Sequence, residues 1–328
     1  MRSVAALGAG LAWLGRQGTR AVALSLLLGL AVPQLAALLK PIVPEAIFVM
    51  LTLSFLRVDP RHLRDYLMRP GLVLAAAVWH AVVIPLTLGA ALVAFGLPAA
   101  SPALFLVLIL QAASPPIMSA PAFAALMGLD AAVSLAVMIV CMMVTPFTAA
   151  FYLHLFVGPD LTIPSLTLGG RLLLIVAGSA IVATLIHRFA PRGWVAAQTQ
   201  RIDGLNVIVL FIFAIAVMEG VAAHFIADPL LVLWVLAITF AVALGLTALT
   251  TLVFAWCGIG RAFSIGLAVG HRNLGLMMAA TGVAVPDLTW LYFGLSQFPI
   301  YLTPQLLKPL ARRFTAKKPG RVAPPVGP

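Results

Sequence analysis

Ten apolar blocks separated by short polar punctuation constrain this chain more than any other feature. They run approximately over 20–39, 42–57, 71–96, 102–128, 130–157, 165–189, 203–224, 229–256, 259–282 and 287–311. A helix rises about 1.5 Å per residue, so a block of about 20 residues crosses about 30 Å of hydrocarbon. Lipid offers nothing to an unpaired backbone group, so such blocks must be helices rather than isolated strands. Composition closes the soluble alternative. Of the 328 residues, 63% are hydrophobic and only 9% charged, against about 25% charged in an ordinary soluble domain. The chain reads as an all-α polytopic membrane protein.

The net charge of +11 does not indicate nucleic acid, because the cations sit between the blocks, where the lipid bilayer is the partner. With the N-terminus in the cytoplasm and ten alternating spans, the cytoplasmic segments hold Arg2, Arg16, Arg20, Arg57, Arg61, Arg64, Arg69, Arg188, Arg192, Arg201, Arg261, Lys308, Arg312, Arg313, Lys317, Lys318 and Arg321. The opposite side holds only Lys40 and Arg171. That bias predicts both termini inside; the expected location is the cell (inner) membrane. Residues 1–19 read as a cytoplasmic or interfacial lead-in, since the run from Val4 to Leu14 is short and Arg16 and Arg20 follow it. Ala21–Leu39, which ends at Lys40-Pro41 without a small-residue cleavage site, reads as a retained first span. Residues 315–328 read as a disordered basic tail. The two cysteines, Cys141 and Cys257, lie in or beside apolar segments and are expected as free thiols; no disulfide or metal site is expected.

Five spans lie on each side of the loop near Gly158–Pro164, giving repeats over 20–157 and 165–314. An odd number of spans per half inverts one half relative to the other, which permits an inverted repeat.

Two blocks are interrupted. The fourth contains Ser114-Pro115-Pro116-Ile117-Met118-Ser119-Ala120-Pro121, where three prolines remove three donors and prevent a regular helix. The reading is either a packed kink or a break lining a cavity. The ninth contains Gly270-His271-Arg272-Asn273 between apolar runs. An arginine at the centre of a span costs about 2.5–3.5 kcal/mol on insertion scales. Arg272 therefore either pairs with a buried carboxylate or serves a solute or ion site; the second is favoured. The two breaks occupy corresponding places in the two halves, the strongest sequence pointer to a transport site. Other polar residues carry weaker signals. His80 either joins helices or relays protons. Glu45 and Glu219, in equivalent second and seventh spans, are either wet interfacial residues or guards of an entrance. Ser134 and Thr145 are expected to bond to their own helix, and Asp130 to cap the fifth.

The run Phe48 to Asp59 (FVMLTLSFLRVD), His80 to Pro85, the proline-rich fourth span with VSLAV after Asp130, and Gly270 to Asn273 occur in an order and spacing that resembles the sodium/bile acid symporter family from about residue 30 to 312. The resemblance implies a core of spans 3–5 and 8–10, with spans 4 and 9 crossing at their breaks, and a panel of spans 1, 2, 6 and 7. It also implies inward movement of organic anions with sodium. The sodium ligands match poorly. The family's ninth-span Glu and Gln-Asn fall at Ala268, Arg272 and Asn273; its third-span Gln at His80; its fourth-span Ser-Asn at Ala120 and Pro121; a fifth-span Thr at Met138, although Ser134 is kept. A hard cation needs several oxygen ligands, so no cofactor is expected and sodium has few places to sit.

The expected function is secondary transport of a small, anionic organic molecule, without full sodium coupling and without enzymatic chemistry. Its pathway would involve His80, Ser114, Ser119, Pro121, Ser134, Gly270, His271, Arg272 and Asn273, with Glu45 and Glu219 as gating or proton-carrying residues. Alternatives are an exporter of another metabolite or oxyanion, or a non-transporting receptor on the same scaffold.

Overall fold

A computed structural model of the chain describes residues 18–58, 70–158, 164–191, 193–282 and 285–315. Most of the lead-in and the tail fall outside the described residues, as do Arg61, Arg64, Arg69 and Arg192; Gly18 and Thr19 are already helical, and Thr315 closes the last helix. The described chain is all helix and connection, with no strand ladder among the described residues. It forms α1 (Gly18–Ala31), α2 (Pro33–Leu56), α3 (Gly71–Ala94), α4 (Pro102–Ala113), α5 (Ala120–Leu126), α6 (Ala131–Phe156), α7 (Ser165–Phe189), α8 (Thr199–Ala216), α9 (Pro229–Val253), α10 (Ile259–Gly270), α11 (Leu274–Thr281) and α12 (Asp287–Thr315). Among them six segments of 24 to 29 residues are long and apolar enough to cross a bilayer, and α4 and α10 are shorter apolar helices. Leu, Phe and Trp side chains are exposed along these helices, as expected of a surface that faces lipid. The protein is a multi-pass membrane protein.

Most helix limits fall close to the apolar blocks, and two depart from them. The first boundary lies at Val32, not at Lys40-Pro41. Val32 leaves helical geometry (φ −127°, ψ 74°) because Pro33, at the first position of the next helix, disfavours helical backbone in the residue before it. At Lys40–Ile42 the chain only tightens to a 3-10 turn and carries on. The seventh block ends as a helix at Ala216 and turns through Gly220, whose φ of 76° suits a residue without Cβ. Asp130 caps α6, its carboxylate accepting from the Val133 amide at 3.1 Å.

Packing gathers the helices into two groups that also touch each other. Helices α1, α2, α7 and α8 lie against one another, the remaining helices gather around α6, α9 and α12, and α7 packs closely on α6 across the two. Two ion pairs tie α2 to the α8 region near both ends: Lys40 to Glu219 at 2.8 Å and Arg57 to Asp203 at 2.7 Å. In the second group the closest packing is between α9 and α10. A Cβ on Gly270 would collide with the Thr247 side chain and the Ala243 carbonyl, and one on Gly266 with Thr251 and the Thr247 carbonyl. These glycines let α10 lie backbone-to-backbone on α9.

Candidate functional site

Helix α4 ends at Ala113 because Pro115 and Pro116 follow, and Ser114 is already extended (φ −75°, ψ 148°). Helix α10 ends at Gly270, with His271 extended (φ −101°, ψ 95°). The two interruptions meet. Pro116 and Arg272 face each other as an antiparallel pair, the Ile117 amide donates to the His271 carbonyl at 2.8 Å, and the Asn273 amide donates to the Pro115 carbonyl at 2.7 Å.

The ends of α4 and α10 leave carbonyls without helical partners, and the Arg272 guanidinium takes them up. Its Nε donates to the Val269 carbonyl at 3.1 Å. Its Nη1 donates to Ala112, and at longer range to Gln111 and Ser114; its Nη2 reaches the His80 carbonyl at 3.5 Å. The cation also lies where two negative helix ends converge. Arg272 is 2% exposed and has no carboxylate partner among the described residues; carbonyls, rather than an acid, hold it.

His80 stands in a single wide turn, Trp79–Val83, inside α3. Its Nε2 lies 3.0 Å from the Ser114 carbonyl, so it joins α3 to the first break. Pro85 follows five residues on and lacks an amide, and the Tyr152 hydroxyl donates to the Ala81 carbonyl that this leaves free. Ser114 is buried, and its hydroxyl donates to Gln111 O at 2.7 Å. His271 is buried against Leu267 O. The Asn273 side chain caps α11 by accepting from the Leu276 amide at 3.1 Å. Ser134, contrary to expectation, does not bond to its own helix: it is buried and its hydroxyl has no hydrogen-bond partner among the described residues. Thr145, as expected, donates to its own helix at Cys141 O. Glu45 is exposed, and Glu219 is held by Lys40. Cys141 is buried, and both it and Cys257 are free thiols.

A cavity of about 400 Å³ lies between the two helix groups, against the crossover. Ser119, Pro121, Arg272 and Asn273 line it. His80, Ser114, Ser134, Gly270 and His271 do not; they lie behind the cavity wall or in the packing that supports it. From α2 come Ile47, Met50, Leu51, Ser54 and Arg57; from α8, Asn206, Leu210 and Phe213; from α12, Gln297, Ile300 and Tyr301. The wall is mostly apolar with a few polar groups, the usual make-up of a small-molecule site. Sequence reasoning missed Ser54, Asn206 and Gln297, and counted Arg57 only as an interfacial cation. The available signal was Asn206 as the one amide in an apolar run (LNVIVLF) and the Ser296-Gln297 pair inside the tenth block.

No family model matches this chain, and no curated protein does.

The two ends of the cavity differ. Toward Arg57 and Asp203 it runs to side chains about one-third exposed. Toward Lys40 it stops at Phe213, which meets Phe293 edge to face at 6.1 Å. Beyond that contact a Cβ on Gly294 would lie 2.6 Å from the Val217 carbonyl, so α12 and the end of α8 touch through backbone. Lys40 lies 4.5 Å above the Trp290 ring while bonded to Glu219. Arg171 donates to the Ala280 carbonyl of α11 at 3.3 Å.

Proposed function

We propose that this protein is a secondary transporter of a small organic anion, working by alternating access at the crossover of two broken helices. The observation that carries the reading is the cavity of about 400 Å³, which abuts that crossover, has the Phe213–Phe293 contact on its Lys40 side and reaches partly exposed residues at the Arg57 end. In this reading α1, α2, α7 and α8 are the panel, and the other helices are the core that moves against it. The ten spans form a five-plus-five inverted repeat, with α4–α5 and α10–α11 as the fourth and ninth spans. Both termini are cytoplasmic in the inner membrane, so the cavity faces the cytoplasm. Supporting the repeat, α4 and α10 each have 12 residues and are followed by short helices of 7 and 8 residues.

The same reading makes the chain a divergent relative of the sodium/bile acid symporters, freed from sodium. A bound cation at a crossover gathers carbonyl oxygens; here a guanidinium fixed to the chain takes five of them. Transport is then passive or proton-linked. The test is uptake of a panel of labelled organic acids into proteoliposomes, with sodium replaced by choline. Uptake of at least one acid, unchanged by the replacement, is the expected result; strict sodium dependence overturns the sodium-free mechanism. Binding without exchange across the vesicle makes the protein a receptor instead.

A further inference from the structure

Two guanidinium groups border the cavity, and they are not equivalent. Arg272 is almost wholly buried, and all three of its nitrogens donate to backbone carbonyls. Arg57 has a side chain 34% exposed; its Nε donates to the Leu53 carbonyl at 3.2 Å and its Nη1 to Asp203 at 2.7 Å. No acceptor among the described residues engages its Nη2. We propose that Arg57, not Arg272, is the residue that receives the anionic group of the solute, with Asp203 as its counter-ion while the cavity is empty. This rests on the transport reading and names the recognition residue within it.

Helix geometry supports the assignment. On α2, Met50, Ser54 and Arg57 recur at spacings of four and three, so one stripe of that helix faces the cavity. On α8, Asn206, Leu210 and Phe213 form the facing stripe, and Asp203 continues it one turn earlier. The charged pair therefore stands at the end of two apolar stripes, with Ser54 and Asn206 one turn inward. A planar carboxylate or a sulfonate accepts two parallel bonds from a guanidinium fork, and Asp203 occupies half of that fork. The solute body would lie along Met50, Met118 and Leu210 toward the crossover. The chemical class that fits is an amphipathic monoanion, one compact anionic group on an apolar body.

The probe is naphthalene-2-carboxylate, with naphthalene-2-carboxamide as its uncharged partner, bound at equilibrium to the full chain in nanodiscs. Arg57→Gln should weaken carboxylate binding by about tenfold to a hundredfold, the worth of one or two charge-assisted hydrogen bonds. It should leave carboxamide binding within about twofold of the unmodified protein, which separates lost recognition from a deformed cavity. Asp203→Asn should tighten carboxylate binding, because it removes the competing carboxylate. The pair is partly exposed, so neither change should cost much stability. Carboxylate affinity unchanged in Arg57→Gln, or weakened in Asp203→Asn, overturns the assignment while leaving the transport reading intact. Failure of the unmodified protein to bind any organic acid of the uptake panel removes both.

Discussion

The break at 114–119 and the break at 271–273 bring different hydrogen-bonding groups to the crossover. The first is rich in acceptors: Pro115 and Pro116 carry no amide, and the end of α4 leaves the Ala112 carbonyl to Arg272 alone, beside those of Gln111, which also accepts from Ser114, and Ser114, which lies against His80. The second is rich in donors: Arg272 brings the guanidinium, and the Asn273 amide adds another. Each would be costly alone, one as orphaned carbonyls and the other as an unpaired cation. Together they satisfy each other. A polar crossover can thus be stable within an apolar bundle without a bound metal ion, provided the donor-rich break stays aligned with the acceptor-rich one.

Removing the donors should break this complementarity most severely. Arg272→Gln leaves several buried carbonyls without partners, at about 1–3 kcal/mol each, so a loss of about 3–5 kcal/mol is expected. Thermal unfolding followed by dye labelling of the buried Cys141 thiol, in a Cys257→Ser background because Cys257 is partly exposed, reads it, and Arg272→Lys should recover only part of the loss because an ammonium cannot fork. A smaller effect should come from shifting one break against the other. Gly270→Ala forces α10 away from Thr247 and Ala243, which should cost about 1–3 kcal/mol and lower anion uptake more than Gly260→Ala, whose added Cβ meets nothing within 4 Å. The smallest change lies outside the crossover. Lys40→Met removes a partly exposed ion pair and the cation above Trp290, worth about 1 kcal/mol or less. Its effect should appear instead as faster labelling of cysteines placed at the Lys40 end, because in the transport reading Lys40 and Arg171 hold that end shut.

The sequence reveals the parts that depend on local chemistry. Runs of apolar residues mark the helices, prolines 115, 116 and 121 mark one interruption, and an arginine stranded between FSIGLAV and LGLMMAATG marks the other. What it hides depends on pairing across the fold. Nothing near Arg272 in the chain says that its partners are carbonyls of α4, some 160 residues away, rather than a carboxylate. The pairing of Arg57 with Asp203 and of Lys40 with Glu219 is equally non-local. The helix boundary at Val32 was masked by the stronger-looking Lys40-Pro41, where the backbone only tightens. Gly270 reads as a lining residue because it opens the ninth-span break, and Ser134 because the family resemblance keeps it; the first is a backbone contact and the second is buried with no hydrogen-bond partner among the described residues.

The most direct test of the donor–acceptor crossover is hydrogen exchange resolved to the amides of Ile117 and Asn273. Both lie outside any helix, so an isolated break would exchange them quickly. The crossover predicts that both are as slow as the amides of α6, and that Arg272→Gln releases both together. Rapid exchange of either amide in the unmodified protein, or release of only one in the variant, would contradict it.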